Sequence, residues 1–122
     1  MHPFPATADL QFLLKGDAVL ESVMVTRSQI GFGLENDCVI NLSAAITCLD
    51  ADGSTADYRP GEPGAAPFLF HRLLGKRLTS VTAEGRTLTL AFEGGGAIRL
   101  QSDTSQDEAG QIMDPAGELI VF

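Results

Sequence analysis

The chain has 122 residues, 44% of them hydrophobic and 20% charged, which is the size and composition of one globular domain with a core of its own. Its formal net charge of −8 argues against nucleic acid as a direct ligand and disfavours an anionic membrane, both of which require a concentrated basic surface, and it permits a basic protein partner. Two cysteines, Cys38 and Cys48, are too few for a disulfide framework and have no companions that make a zinc site. No apolar run reaches the length of a membrane span, and the first ten residues, "MHPFPATADL", carry no basic region leading into an apolar one. A reducing, bacterial-type cytoplasm is the expected compartment.

In chain order, "TADLQFLLKG" reads as a short helix capped by Thr7, with Leu10, Phe12, Leu13 and Leu14 as its apolar residues and Gly16 as its stop. A strand is the alternative for this stretch. Val23-Met24-Val25 reads as a strand, Thr26-Arg27-Ser28 as a turn, and the alternation of Ile30, Phe32 and Leu34 as a second strand. Asn36-Asp37-Cys38 is a turn leading to Ile40 and Leu42. Ile46–Leu49 and Thr55–Tyr58 are strands around Asp50-Ala51-Asp52-Gly53. That tetrad resembles a fragment of a calcium loop, but its glycine comes fourth rather than sixth and position twelve is Gly61, so a turn is expected.

After the Pro/Gly linker 59–66, "PFLFHRLLG" reads as a second short helix from Pro67 to Gly75, covering a sheet face with Phe68, Leu69 and Leu73, and with Leu74 as a further candidate. The strand Val81-Thr82-Ala83 and the turn Glu84-Gly85-Arg86 lead into "LTLAFEGGGAIRL". The three glycines raise the question of a phosphate loop. Such a loop needs a following helix and a Lys-Ser or Lys-Thr pair. Here Leu88, Leu90 and Phe92 alternate before the glycines, and Ile98 and Leu100 alternate after them, so the tract is a hairpin turn. A polar insertion, "SDTSQDEAG", precedes the strand Gln111-Ile112-Met113. The apolar end "ELIVF" is either a buried strand or an edge that pairs with a second chain.

The chain reads as one unit written twice. Ala18–Leu42 aligns without a gap on Lys76–Leu100 at an offset of 58, with six of 25 positions identical: Leu20/Leu78, Ser22/Ser80, Val23/Val81, Glu35/Glu93, Ile40/Ile98 and Leu42/Leu100. The expected architecture is a single α+β domain over residues 1–122, mainly antiparallel β. Two pseudo-repeated halves, 8–58 and 67–122, would each form a meander of about four strands with a short helix packed on the sheet. The expected core is Leu20, Val23, Ile30, Phe32, Leu34, Ile40, Leu42, Leu78, Val81, Leu88, Leu90, Phe92, Ile98 and Leu100.

Candidate chemistry is sparse. No Gly-x-Ser-x-Gly elbow is present, no residues are assigned as catalytic, and neither metal nor cofactor is expected. His71, Arg72, Lys76 and Arg77 form the one basic cluster. They read as a solvated helix end, with an anion or ligand site as the alternative. Asp103, Asp107 and Glu108 form an acidic loop that would suit a basic protein partner.

The stretch from Phe70 to Ser102 resembles a group of small uncharacterised bacterial domains marked by Leu-Gly, a short strand, and Leu-x-Leu-x-Phe-x-x-Gly-x-x-Ile-x-Leu. Leu74-Gly75, Leu88, Leu90, Phe92, Gly95, Ile98 and Leu100 carry the match. Some such domains are described as immunity proteins beside toxins. The resemblance implies a binding role and supplies no catalytic residues. Where those domains have an aromatic-rich stretch after the last hairpin strand, this chain has "DTSQDEAGQI". The reading is therefore a non-catalytic acidic protein-binding module of immunity type. Its alternatives are a small-molecule or enzymatic site between the halves near His71, and a homodimeric structural domain.

Overall fold

The computed structural model describes residues 6–43, 45–59, 72–84, 87–101 and 110–121. Ten strands occur in them: β1 (Leu20–Val25), β2 (Ile30–Leu34), β3 (Val39–Leu42), β4 (Ile46–Leu49), β5 (Thr55–Tyr58), β6 (Leu78–Glu84), β7 (Thr87–Phe92), β8 (Ala97–Gln101), β9 (Gly110–Met113) and β10 (Leu119–Val121). They form two five-stranded antiparallel sheets, ordered β1-β2-β3-β9-β10 and β5-β4-β8-β7-β6.

Each half therefore does not keep its strands together. β1–β3 form a meander, but the following hairpin β4–β5 joins the sheet of the second half, and β9–β10 joins the sheet of the first. This corrects the expected four-strand meander, and the connection between β3 and β4 supplies the reason. Chain reversals occur at turn-forming residues, Asn36-Asp37 and Asp52-Gly53. The sequence between Leu42 and Ile46, Ser43-Ala44-Ala45, contains no glycine, proline or asparagine, and β4 belongs to the sheet opposite β3.

The two sheets correspond register by register. Ile30 pairs with Leu42 and Phe32 with Ile40, as Leu88 pairs with Leu100 and Leu90 with Ile98. Ile40 meets Ile112 of the exchanged hairpin, as Ile98 meets Cys48. Even the irregularities repeat: β1 is bulged between Leu20 and Ser22, and β6 between Leu78 and Ser80. The triple glycine is a turn. Phe92 N–H donates to Gly96 O at 2.8 Å, as Leu34 N–H donates to Cys38 O at 2.9 Å. Gly95 has φ 101° where Asp37 has φ 70°, and Gly94 adds a second positive φ of 86° that glycine adopts with little strain.

Inward-facing residues of both sheets form one continuous core. It includes every expected core residue except Val23, which is partly buried against it, and adds Leu10, Leu13, Ala18, Cys38, Ile46, Cys48, Tyr58, Leu73 and Ile112. Each fully buried leucine or isoleucine contributes about 1.5–3 kcal/mol.

The helical share is smaller than an α+β class implies. Thr7–Leu14 is a 3₁₀ helix, and Arg72 and Leu73 lie in a second short 3₁₀ turn; no α-helix occurs among the described residues. Pro67 to His71 lie outside them; Leu73 is buried as expected, whereas Leu74, the further candidate for the sheet face, is 43% exposed. At three residues per turn, Thr7, Leu10 and Leu13 share one face. Leu10 and Leu13 are fully buried, while Thr7 exchanges hydrogen bonds with the backbone of β6. Thr7 is thus not the expected helix cap; the residue before the helix is Ala6, whose side chain caps nothing.

Candidate functional site

The exchange of hairpins builds two equivalent clefts. In each, the end of a 3₁₀ segment faces a strand turn of its own half and the β-turn of an exchanged hairpin. The two β-turns are alike. Asp50 N–H donates to Ser54 O at 2.8 Å and Gly53 N–H to Asp50 O at 3.0 Å; Asp114 N–H donates to Glu118 O at 2.9 Å and Gly117 N–H to Asp114 O at 3.0 Å. Gly53 and Gly117 sit at φ 91° and 88°. The calcium-like tetrad is this turn: Asp50 Oδ1 accepts from Ala51 N–H and Asp52 Oδ1 from Ser54 N–H, each at 2.8 Å. The Ser54 amide and hydroxyl hold the Asp52 carboxyl below its usual range.

The cleft at the Asp50 turn measures about 210 Å³ and is lined by Arg72, Leu73 and Lys76. Arg72 Nη1 donates to Asp50 Oδ2. Leu73 fills the floor, since a Cβ placed on Gly96 would lie 2.7 Å from its Cδ2. Lys76 reaches over Gly94.

The cleft at the Asp114 turn is larger, about 470 Å³. Phe12 and Pro115 give it apolar walls, with Lys15 and Asp114 as its charged groups. Asn36 braces it, donating from Nδ2 to Leu13 O at 2.9 Å and Lys15 O at 2.8 Å and accepting from Cys38 N–H at 3.1 Å. Asp114 Oδ1 accepts from Ala116 and Glu118 N–H, both at 2.9 Å. Its Oδ2 has no partner among the described residues, whereas the matching oxygen of Asp50 holds Arg72.

The expected basic cluster divides. Arg72 and Lys76 line the smaller cleft, which takes Asp50 and Ala51 from the other half. Arg77 points elsewhere, donating to Gly16 O at 3.2 Å and lying 3.7 Å from the Asp17 carboxylate. His71 and the acidic residues Asp103, Asp107 and Glu108 lie outside the described residues. Sequence reasoning missed Asp114 and Phe12 as cleft residues. The available signal was the repeat itself: Asp114-Pro115-Ala116-Gly117 answers Asp50-Ala51-Asp52-Gly53 once the insertion is allowed for.

Cys38 and Cys48 are buried and unbridged, one in the turn just before β3 and one in β4 of the opposite sheet. Burial, then the Asp50 charge, pushes the Cys48 thiol up to about 11. Burial, then Asp114 and Asp37, raises Cys38.

Two edges complete the surface. On β6, the 3₁₀ helix occupies the free edge: Thr7 Oγ1 donates to Ala83 O at 3.1 Å and accepts from Ala83 N–H at 2.9 Å, and Gln11 Nε2 donates to Val81 O at 3.2 Å. On β10, Leu119 and Val121 are 54% and 42% exposed. No helix among the described residues is long and apolar enough to cross a membrane. No family model, curated protein or solved structure matches the chain, so the resemblance to immunity-type domains rests on its hairpin residues alone.

Proposed function

We propose that the chain is a non-catalytic protein-binding module that takes an extended segment of a basic partner along β10, as an immunity-type inhibitor would. The observation that carries this reading is the contrast between two matching edge strands. β5 places the exposed Thr55 and Asp57 where β10 places the exposed Leu119 and Val121. A charge on an edge strand discourages pairing, and an apolar edge invites it. Strand addition draws affinity from main-chain hydrogen bonds and specificity from alternate side chains. The net charge of −8, with Asp114 and Glu118 at the entrance to β10, favours a basic partner.

The test is capture from native lysate at low and high salt, with wild type beside Leu119→Lys/Val121→Lys. A stoichiometric basic protein that is lost at high salt and absent from the variant supports the reading. Its absence at low salt, or equal capture by the variant, overturns it. Self-association of the wild type that the variant abolishes would assign the edge to a homodimer instead.

A further inference from the structure

We infer that the larger cleft is a receptor for an arginine side chain, held by Asp114 and Phe12, and that the protein already contains the filled form of the same site in its other half. The inference rests on the partner-binding reading for its biological ligand, but its chemistry stands on the comparison of the two clefts.

Asp50 and Asp114 open equivalent turns. Each commits Oδ1 within its own turn, Asp50 to the Ala51 amide and Asp114 to the Ala116 and Glu118 amides. At Asp50 the second oxygen receives the Arg72 guanidinium. At Asp114 the second oxygen is left without a partner among the described residues, and the space beside it is more than twice as large, about 470 against 210 Å³. What the first half lacks is an arginine like Arg72; the basic residue at the end of its own 3₁₀ helix is Lys15, which has no ion pair with Asp114 among the described residues. A guanidinium from outside supplies what is lacking.

The walls suit that group. A guanidinium is planar and weakly hydrated, stacks on aromatic faces and donates in a fixed fork. Phe12 is half-buried in the cleft wall and offers the ring. Lys15 on the rim does not preclude a second cation, because Lys76 lines the filled cleft alongside Arg72. Asp37, whose charge is felt together with that of Asp114 at Cys38, adds negative potential. The cleft also lies at the turn that joins β9 to β10, so an arginine in a segment paired along β10 is carried toward it.

The probe is Nα-acetyl-arginine amide, added to the ¹⁵N-labelled full chain and followed by NMR. Saturable shifts are expected at the Ala116 and Glu118 amides, which bond to Asp114. Most of the shift is lost in Asp114→Asn, which keeps the Oδ1 acceptor and so the turn. The lysine analogue binds several-fold more weakly. In Arg72→Ala the vacated cleft gains a second site, reported by the Ala51 amide. No saturable shift at Ala116 and Glu118, or equal shifts in Asp114→Asn, overturns the inference. Probe binding without any captured partner would keep the cleft and remove the strand-addition reading, so the two failures are distinguishable.

Discussion

Val19 and Arg77, equivalent residues 58 positions apart, form an antiparallel bridge with each other. Leu20 N–H donates to Lys76 O at 2.9 Å and Leu78 N–H to Ala18 O at 2.7 Å, two reciprocal bonds between matching positions. The bridge marks the axis about which one half repeats the other, and the exchanged hairpins are disposed around it. Glu35 N–H to Val19 O at 2.9 Å and Glu93 N–H to Arg77 O at 2.8 Å extend the correspondence outward.

Equivalent surroundings predict equivalent losses. Leu20 and Leu78 are both buried beside this bridge, at 1% and 3% exposure. Leu20→Ala and Leu78→Ala should each destabilise the fold by about 2–4 kcal/mol. Because each half completes the other's sheet, either change should shift a single cooperative urea transition monitored by circular dichroism. A biphasic transition in either variant, with one half melting first, would show that the halves are separate folding units.

The exchange can be attacked at one atom. A Cβ on Gly110, where β9 begins its pairing with β3, would lie 2.5 Å from Asn41 O. That neighbour is backbone and cannot swing aside. Gly110→Ala should therefore cost more than Gly117→Ala, whose added Cβ meets nothing within 4 Å and whose cost is the left-handed φ alone, about 1 kcal/mol. Thermal unfolding of the pair checks the order. Equal losses would mean that β9 is not held against β3 as described.

Period-two alternation placed nearly every core residue because burial on one sheet face leaves no other pattern. Ile30, Phe32 and Leu34 are legible for that reason, and so are Leu88, Leu90 and Phe92. The turn at Gly94–Gly96 was legible from the strands on both sides. The exchange of β4–β5 and β9–β10 was not, because Ile46 and Cys48 present the same alternation whichever sheet they join. Partner choice among strands is a long-range matter that no local spacing encodes. The clefts were hidden for the same reason: Asp114 and Phe12 line one cleft only because the hairpin crosses over. Thr7 has the residue type of a cap, but a helix wound at three residues per turn aims it at β6 instead.

That contact makes its own prediction. Thr7 Oγ1 satisfies both the carbonyl and the amide of Ala83 on the outer edge of β6. Thr7→Val preserves the shape and removes both bonds, and should cost about 1–3 kcal/mol. Thr7→Ser keeps the hydroxyl and should recover most of that loss. Denaturant midpoints for the two variants decide it. If Ser costs more than Val, the methyl rather than the hydroxyl is what holds the helix on the edge.

The cysteines predict the alkaline limit of stability. In the folded chain the Cys48 thiol is raised from 9.0 to about 11, chiefly by burial. Unfolded, the thiol ionises near pH 9. Below that pH both states hold the proton and stability is at its full value. Between pH 9 and 11 the unfolded state alone gives up the proton, so stability falls with rising pH, by roughly 2–3 kcal/mol at full effect. Wild type is compared with Cys48→Ala at each pH, which isolates the contribution of this thiol. The urea midpoint of the variant should lie below that of wild type at pH 8, where the lost packing counts alone, and the gap should narrow toward pH 11. A gap that stays constant would mean that Cys48 ionises as freely in the folded chain as in the unfolded one.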